Sequence, residues 1–110
     1  MNANPPLCRL EDIPDGDAIA ARVEAPAGAC ELILLRQGEQ AFAYHNECPH
    51  QGRHLDYAPG RFLVRDGRLI CAAHGATFAV DSGECIAGPC RGSRLAPAPI
   101  EVVDGAVVLR

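Results

Sequence analysis

The chain has 110 residues and a formal net charge of −4, with ten basic residues, all of them arginine, against fourteen acidic ones. This length suits a single compact domain, and the acidic balance argues against non-specific binding to nucleic acid or to an anionic membrane while permitting contact with a basic face of a protein partner. Hydrophobic residues reach 48%, yet the longest aliphatic run is Leu32-Ile33-Leu34-Leu35, far short of the roughly 20 residues a membrane span requires.

In chain order, the pattern predicts short strands over residues 7–10, 18–23, 30–36, 41–45, 61–64, 68–71, 77–80, 100–103 and 106–109. A helical turn is expected over 10–14. Turn residues punctuate these segments at Pro14-Asp15-Gly16, Gln37-Gly38, Asp66-Gly67, Asp81-Ser82-Gly83 and Asp104-Gly105. Asp-Gly supplies the positive φ of tight hairpins, so hairpins are predicted at 66–67 and 104–105. No 3.6-residue periodicity of useful length occurs, and the expected fold class is all-β. No basic and apolar leader opens the sequence, so a cytoplasmic protein is expected.

The character changes between Asn46 and Phe78, which hold two of the six cysteines and three of the four histidines. This pattern suggests an antiparallel basal domain, residues 1–46 and 79–110, with a metal-binding subdomain inserted at 47–78. The insertion contains Cys48-Pro49-His50 and Cys71-Ala72-Ala73-His74. Each loop offers one thiolate and one imidazole, giving a Cys₂His₂ donor set. Structural zinc sites usually group like ligands, as C-x₂₋₄-C and H-x₃₋₅-H. A Rieske [2Fe–2S] centre places both Cys on one iron and both His on the other, so loops of mixed type suit it better. Gly52 and Gly75 follow the histidines and suit backbone that bends around a cluster. An even number of cysteines would also fit a disulfide framework in a secreted protein; the Cys–His spacing favours metal binding.

Cys48-Pro-His50-Gln-Gly52-x-x-Leu55 and Cys71-x-x-His74-Gly75-x-x-Phe78 resemble the two ligand boxes of the Rieske [2Fe–2S] domain family. Gly88-Pro89 resembles the third, cluster-covering loop of that family. The resemblance implies a Rieske-type antiparallel β-sandwich or barrel carrying one [2Fe–2S] cluster on Cys48, His50, Cys71 and His74. Gly52, Leu55, Gly75, Ala76, Phe78 and Pro89 would surround it. The gap between the boxes is a few residues longer than the family's commonest spacing, and the extra length falls around residues 57–61 and the 66–67 hairpin. High-potential members carry a loop-bracing cysteine pair where this chain has Arg53 and Ala73, and a Ser and Tyr where it has Ala76 and Phe78. Without those hydroxyls the reduced state loses hydrogen bonds, so the expected potential lies toward the lower end of roughly −150 to +300 mV. Ionisation of the ligand imidazoles would make the midpoint fall with pH at alkaline values.

The resemblance further implies an electron carrier, not an enzyme by itself. It would accept electrons from a flavin-containing NAD(P)H-dependent reductase and pass them to a terminal oxygenase, with no membrane or nucleic-acid partner. An accessory Rieske subunit of a larger oxidoreductase and a non-redox zinc module are the alternatives. His54 and His45 read as ordinary loop and strand-end residues, and Cys8 and Cys30 as buried small hydrophobes. Cys85 and Cys90 are compatible either with a disulfide beside the covering loop or with two thiols. Arg53, Arg61, Arg65 and Arg68 read as solvated charges around the insertion, with partner docking left open.

Overall fold

The computed structural model describes residues 6–25, 28–49, 54–71 and 75–110. Ten strands form three antiparallel sheets, and no α-helix occurs among the described residues. Strand β1 (Cys8–Arg9) leads into a single 3₁₀ turn at Leu10–Asp12, where the sequence suggested a helical turn. Strands β2 (Ala18–Ala25), β3 (Gly28–Gln37) and β4 (Gln40–His45) make one sheet in the order β2-β3-β4. Strands β5 (Leu63–Arg65), β6 (Arg68–Ile70), β7 (Thr77–Ala79) and β8 (Cys85–Ala87) make a second sheet in chain order. Strands β9 (Ile100–Val103) and β10 (Ala106–Leu109) close a third with β1, in the order β1-β10-β9.

The β2-β3-β4 sheet lies between two hydrophobic cores, and β3 shows why. Leu32, Ile33, Leu34 and Leu35 are all at most 2% exposed, because successive side chains of a strand point to opposite faces and both faces are covered here. Ile33 and Leu35 join Ala18, Tyr44, Leu55, Leu69, Phe78 and Leu95 in the core on one face. Leu32 and Leu34 join Leu10, Ile13, Ala43, Ala98 and Val107 on the other. The unbroken aliphatic run therefore marks the central strand, whereas a one-sided strand would alternate with polar residues.

Both Asp-Gly hairpins occur. Asp66 and Gly67 have φ of 51° and 74°, and Asp104 and Gly105 have φ of 49° and 79°, the pair of left-handed conformations that a two-residue type I′ turn needs. They set the registers Arg65↔Arg68 and Val103↔Ala106. The sequence pattern carries no signal for strand β8. It has three residues at the sheet edge, and its pairing with β7 slips at Thr77/Phe78, so neither length nor alternation marks it.

Tyr44 ties the central sheet to the β5–β8 sheet. Its hydroxyl donates a 2.7 Å hydrogen bond to the Val80 carbonyl. Its ring covers Gly83, where a Cβ would come within 2.6 Å of the Tyr44 ring carbon Cε1. The turn at 81–83 is thereby held against β4, close before β8 and the loop that follows it.

Candidate metal centre

The β5–β8 sheet and the end of β4 bring three loops to one end of the core. The first follows β4 and carries Cys48; the second follows β6 and carries Cys71; the third follows β8 and carries Gly88 and Pro89. His50, Gly52 and His74 lie outside the described residues, as do Arg53 and Ala73. Cys48 and Cys71 are 5% and 2% exposed and share one core with Leu55, Ala76 and Phe78, each 0% exposed. Two loops far apart in sequence therefore deliver their thiols into a common dry region.

The first loop is closed by Asn46, the only buried polar residue among the described ones. Its Oδ1 accepts a 2.7 Å hydrogen bond from the Leu55 N–H, and its Nδ2 donates to Asp56 Oδ1 at 3.2 Å. Its own N–H donates to the Glu31 carbonyl on β3. One side chain thus joins the two ends of the loop, and the neighbouring strand anchors it. The second Asp56 oxygen accepts from the Gly60 N–H at 3.1 Å, so the same carboxylate orders the next turn. Burial of Leu55 at the loop's end contributes about 2 kcal/mol. No motif signals Asn46; its role depends on contact with Leu55 and Asp56, nine and ten residues away.

The added length between the ligand boxes forms ordered structure. The Tyr57 N–H donates to the Arg61 carbonyl and the Arg61 N–H to the Ala58 carbonyl, at 2.9 and 2.8 Å, which makes a tight turn with Gly60 at φ 75°. His54 is exposed, with Nδ1 3.9 Å from Asp56 Oδ1; His45 ends β4, opposite Leu32.

The second loop is pinched at its base: the Cys71 N–H donates to the Ala76 carbonyl at 2.7 Å, and the Gly75 N–H to the Cys71 carbonyl at 3.0 Å. Gly75 has φ of 74°, a conformation that lets the chain reverse there. The third loop lies directly on this base. A Cβ at Gly88 would meet Ala76 Cα at 2.7 Å and Gly75 O at 3.3 Å, so only glycine permits this approach. Pro89 is exposed.

No disulfide is present among the described residues. Cys85 and Cys90 flank the third loop, both buried, with sulfurs 3.3 Å apart. Burial, followed by the neighbouring Cys85 and Cys48, pushes the Cys90 thiol up to about 12. Cys90 thus stays protonated near neutral pH.

These features fit an iron–sulfur group. Two buried thiols reach one core from separate loops, beside the buried apolar Leu55, Ala76 and Phe78, and the Gly88 loop packs on the base of the second. Soft thiolates in such a setting suit iron–sulfur clusters or zinc, and the family decides between the two.

The Rieske [2Fe-2S] domain profile matches residues 4–104, and the chain belongs to that family. Its cofactor is one Rieske-type [2Fe–2S] cluster, and the chain is an electron carrier of the ferredoxin kind, not a catalyst in its own right. It is 33% identical over 105 residues to the protein described as "Alkene monooxygenase system, ferredoxin component" from Xanthobacter autotrophicus, covering 94% of this chain and 77% of that one. Among solved structures it is similar to a chain in the complex of reduced oxygenase and oxidized ferredoxin of carbazole 1,9a-dioxygenase. That match has a TM-score of 0.76 and 27% identity, covering 96% of this chain and 90% of the other. The Sphingomonas yanoikuyae B1 ferredoxin shares the fold, with a TM-score of 0.74, 24% identity and 96% of each chain covered. No helix among the described residues is long and apolar enough to cross a membrane.

Proposed function

We propose that Cys48 and Cys71 hold one iron of the cluster and His50 and His74 the other, within a cluster-binding subdomain spanning residues 47–78, and that the chain carries electrons to a terminal oxygenase. The observation that carries the ligand assignment is the convergence of Cys48 and Cys71, from separate loops, into one buried apolar region. When bound, the cluster takes up and releases one electron at a time. The chain's part is to hold the irons, exclude water and present the group to partners. Leu55, Ala76 and Phe78 form the dry wall. Asn46 fixes the first loop, the bonds between Cys71 and Ala76 fix the second, and Gly88 and Pro89 supply the cover. Gly75 lets the second loop reverse.

Likeness to an alkene monooxygenase ferredoxin component supports an oxygenase of that kind as the acceptor. A flavin-containing NAD(P)H-dependent reductase is the matching donor, since a one-electron carrier needs a partner able to split a hydride's electron pair. We place this soluble carrier in the cytoplasm, where a reducing thiol pool keeps iron-binding cysteines available.

The test is an EPR spectrum of the dithionite-reduced protein, beside that of His74→Cys. A Rieske-type signal in the wild type that changes in the variant is expected. An ordinary four-cysteine signal in the wild type would overturn the His₂Cys₂ assignment. The partner assignment is tested by leaving the protein out of a reconstituted mixture of reductase and alkene-oxidising oxygenase, which should stop turnover.

A further inference from the structure

Besides Cys48 and Cys71, the core contains two further buried thiols, and they face each other. Cys85 begins β8 and Cys90 follows the exposed residues 86–89; they are 2% and 5% exposed. The backbone around them is tied on both sides. The Cys85 N–H donates to the Ser93 carbonyl at 2.8 Å, the Ser93 N–H to the Cys90 carbonyl at 2.9 Å, and the Arg91 N–H to the Gly88 carbonyl at 3.2 Å. The sulfurs sit 3.3 Å apart. A disulfide needs about 2.05 Å, so the sulfurs must close by roughly 1.3 Å for a bond to form.

We propose that Cys85 and Cys90 are a second, thiol-based redox site beside the metal centre, closing reversibly to a disulfide by exchange with a low-molecular-weight disulfide of the glutathione type. The sulfur of one cysteine attacks the oxidant, breaks its S–S bond and releases one thiol. The other cysteine then attacks the resulting mixed disulfide, forms the Cys85–Cys90 bond and releases the second thiol. Two protons leave the protein thiols and end on the two released thiols. Two electrons pass to the oxidant, and the cluster exchanges none.

The position of the pair gives the reaction a consequence. The closed loop contains Gly88, which lies against Ala76 at the base of the second ligand loop, so the crosslink tightens the cover over the centre. It also removes the thiol proton of Cys90, which shares its core with Cys48. This second effect rests on Cys48 being a ligand: a donor lost beside a ligand sulfur disfavours the more negative, reduced state, and the midpoint falls.

The experiment equilibrates the holoprotein with mixtures of reduced and oxidised glutathione, quenches with an alkylating agent and maps the cysteines by peptide mass. A Cys85–Cys90 crosslink is expected to accumulate as the oxidised fraction rises and to reverse on reduction, with the visible cluster spectrum retained and the midpoint lowered. Cys85→Ala and Cys90→Ser should each abolish the crosslink and its shift; the wild-type result does not depend on either variant folding. The proposal is overturned if Cys85 and Cys90 stay alkylatable while glutathione adds to Cys8 or Cys30. Loss of the cluster before any crosslink forms overturns it equally. A reversible crosslink with an unchanged midpoint upholds the thiol site and counts instead against Cys48 as the neighbouring ligand.

Discussion

Gly88 touches the backbone of Ala76 so closely that a Cβ at position 88 would fall 2.7 Å from Ala76 Cα. The third loop is thereby pressed onto the base of the second ligand loop, and the contact is made by main chain on both sides. Neither partner can rotate away as a side chain would.

Gly88→Ala therefore meets two penalties. The new methyl group collides with backbone, and alanine is strained at φ 99°. Together they should cost roughly 2–4 kcal/mol in stability and lift the third loop from the centre. Cluster absorbance followed during a chelator challenge should decay several-fold faster than in the wild type. Equal decay rates would mean that the cover contributes nothing to retention.

Asn46→Ala removes the acceptor for the Leu55 N–H and the donor for Asp56. A buried N–H left without a partner costs about 1–3 kcal/mol. Because the lost bond closes the loop carrying Cys48, cluster release should accelerate together with the fall in denaturant midpoint. Asn46→Asp keeps an acceptor for Leu55 but sets a second carboxylate against Asp56, so it should rescue only in part, and better at low pH. Full rescue at neutral pH would show that the Asp56 contact is dispensable.

Tyr44 predicts an alkaline limit. Burial, and secondarily the charge of Asp81, raises its phenol from 10 to about 12. The native state therefore keeps the proton where the unfolded chain has lost it. This contribution is complete below pH 10 and disappears as pH rises through about 12, amounting to about 3 kcal/mol. Tyr44→Phe loses the bond to the Val80 carbonyl, at about 1–2 kcal/mol near neutrality, but has no phenol to ionise. Urea midpoints should favour the wild type at pH 8 and the variant at pH 12. Curves that stay parallel across this interval would refute the assignment.

The third strand, both Asp-Gly hairpins and the two loops that carry Cys48 and Cys71 are legible in the sequence because each is local. A run of four aliphatic residues, a dipeptide that adopts positive φ, and Cys–His spacing within a loop need no knowledge of the rest of the chain. Asn46, Tyr44 and Gly88 are not legible in that way. Asn46 matters through Leu55, Tyr44 through Val80 and Gly83, and Gly88 through Ala76, and these partners meet only once the sheets have packed. Strand β8 escapes notice for a related reason, since its pairing is irregular and lies at a sheet edge. The approach of Cys85 to Cys90 was open on spacing alone; the β8 pairing and the bonds to Ser93 bring the sulfurs together.

Ala76 and Phe78 carry the last prediction, which concerns potential. Both are fully buried in the core that contains Cys48 and Cys71, and neither bears a hydroxyl. A donor hydrogen-bonded to a cluster or ligand sulfur stabilises the added negative charge of the reduced state. A centre without these donors should titrate toward the lower end of the Rieske range of roughly −150 to +300 mV. Ala76→Ser adds one hydroxyl to a 0% exposed site at the small volume of a single oxygen, and Phe78→Tyr adds another at the far end of a ring. Each should raise the midpoint in protein-film voltammetry, and the double variant should exceed either alone. An unpaired buried hydroxyl would instead cost about 1–3 kcal/mol of stability with no gain in potential. A drop in thermal midpoint with unchanged voltammetry would therefore show that positions 76 and 78 do not address the sulfurs. A raised midpoint with stability maintained would show that hydroxyls at 76 and 78 reach the sulfurs and set the potential.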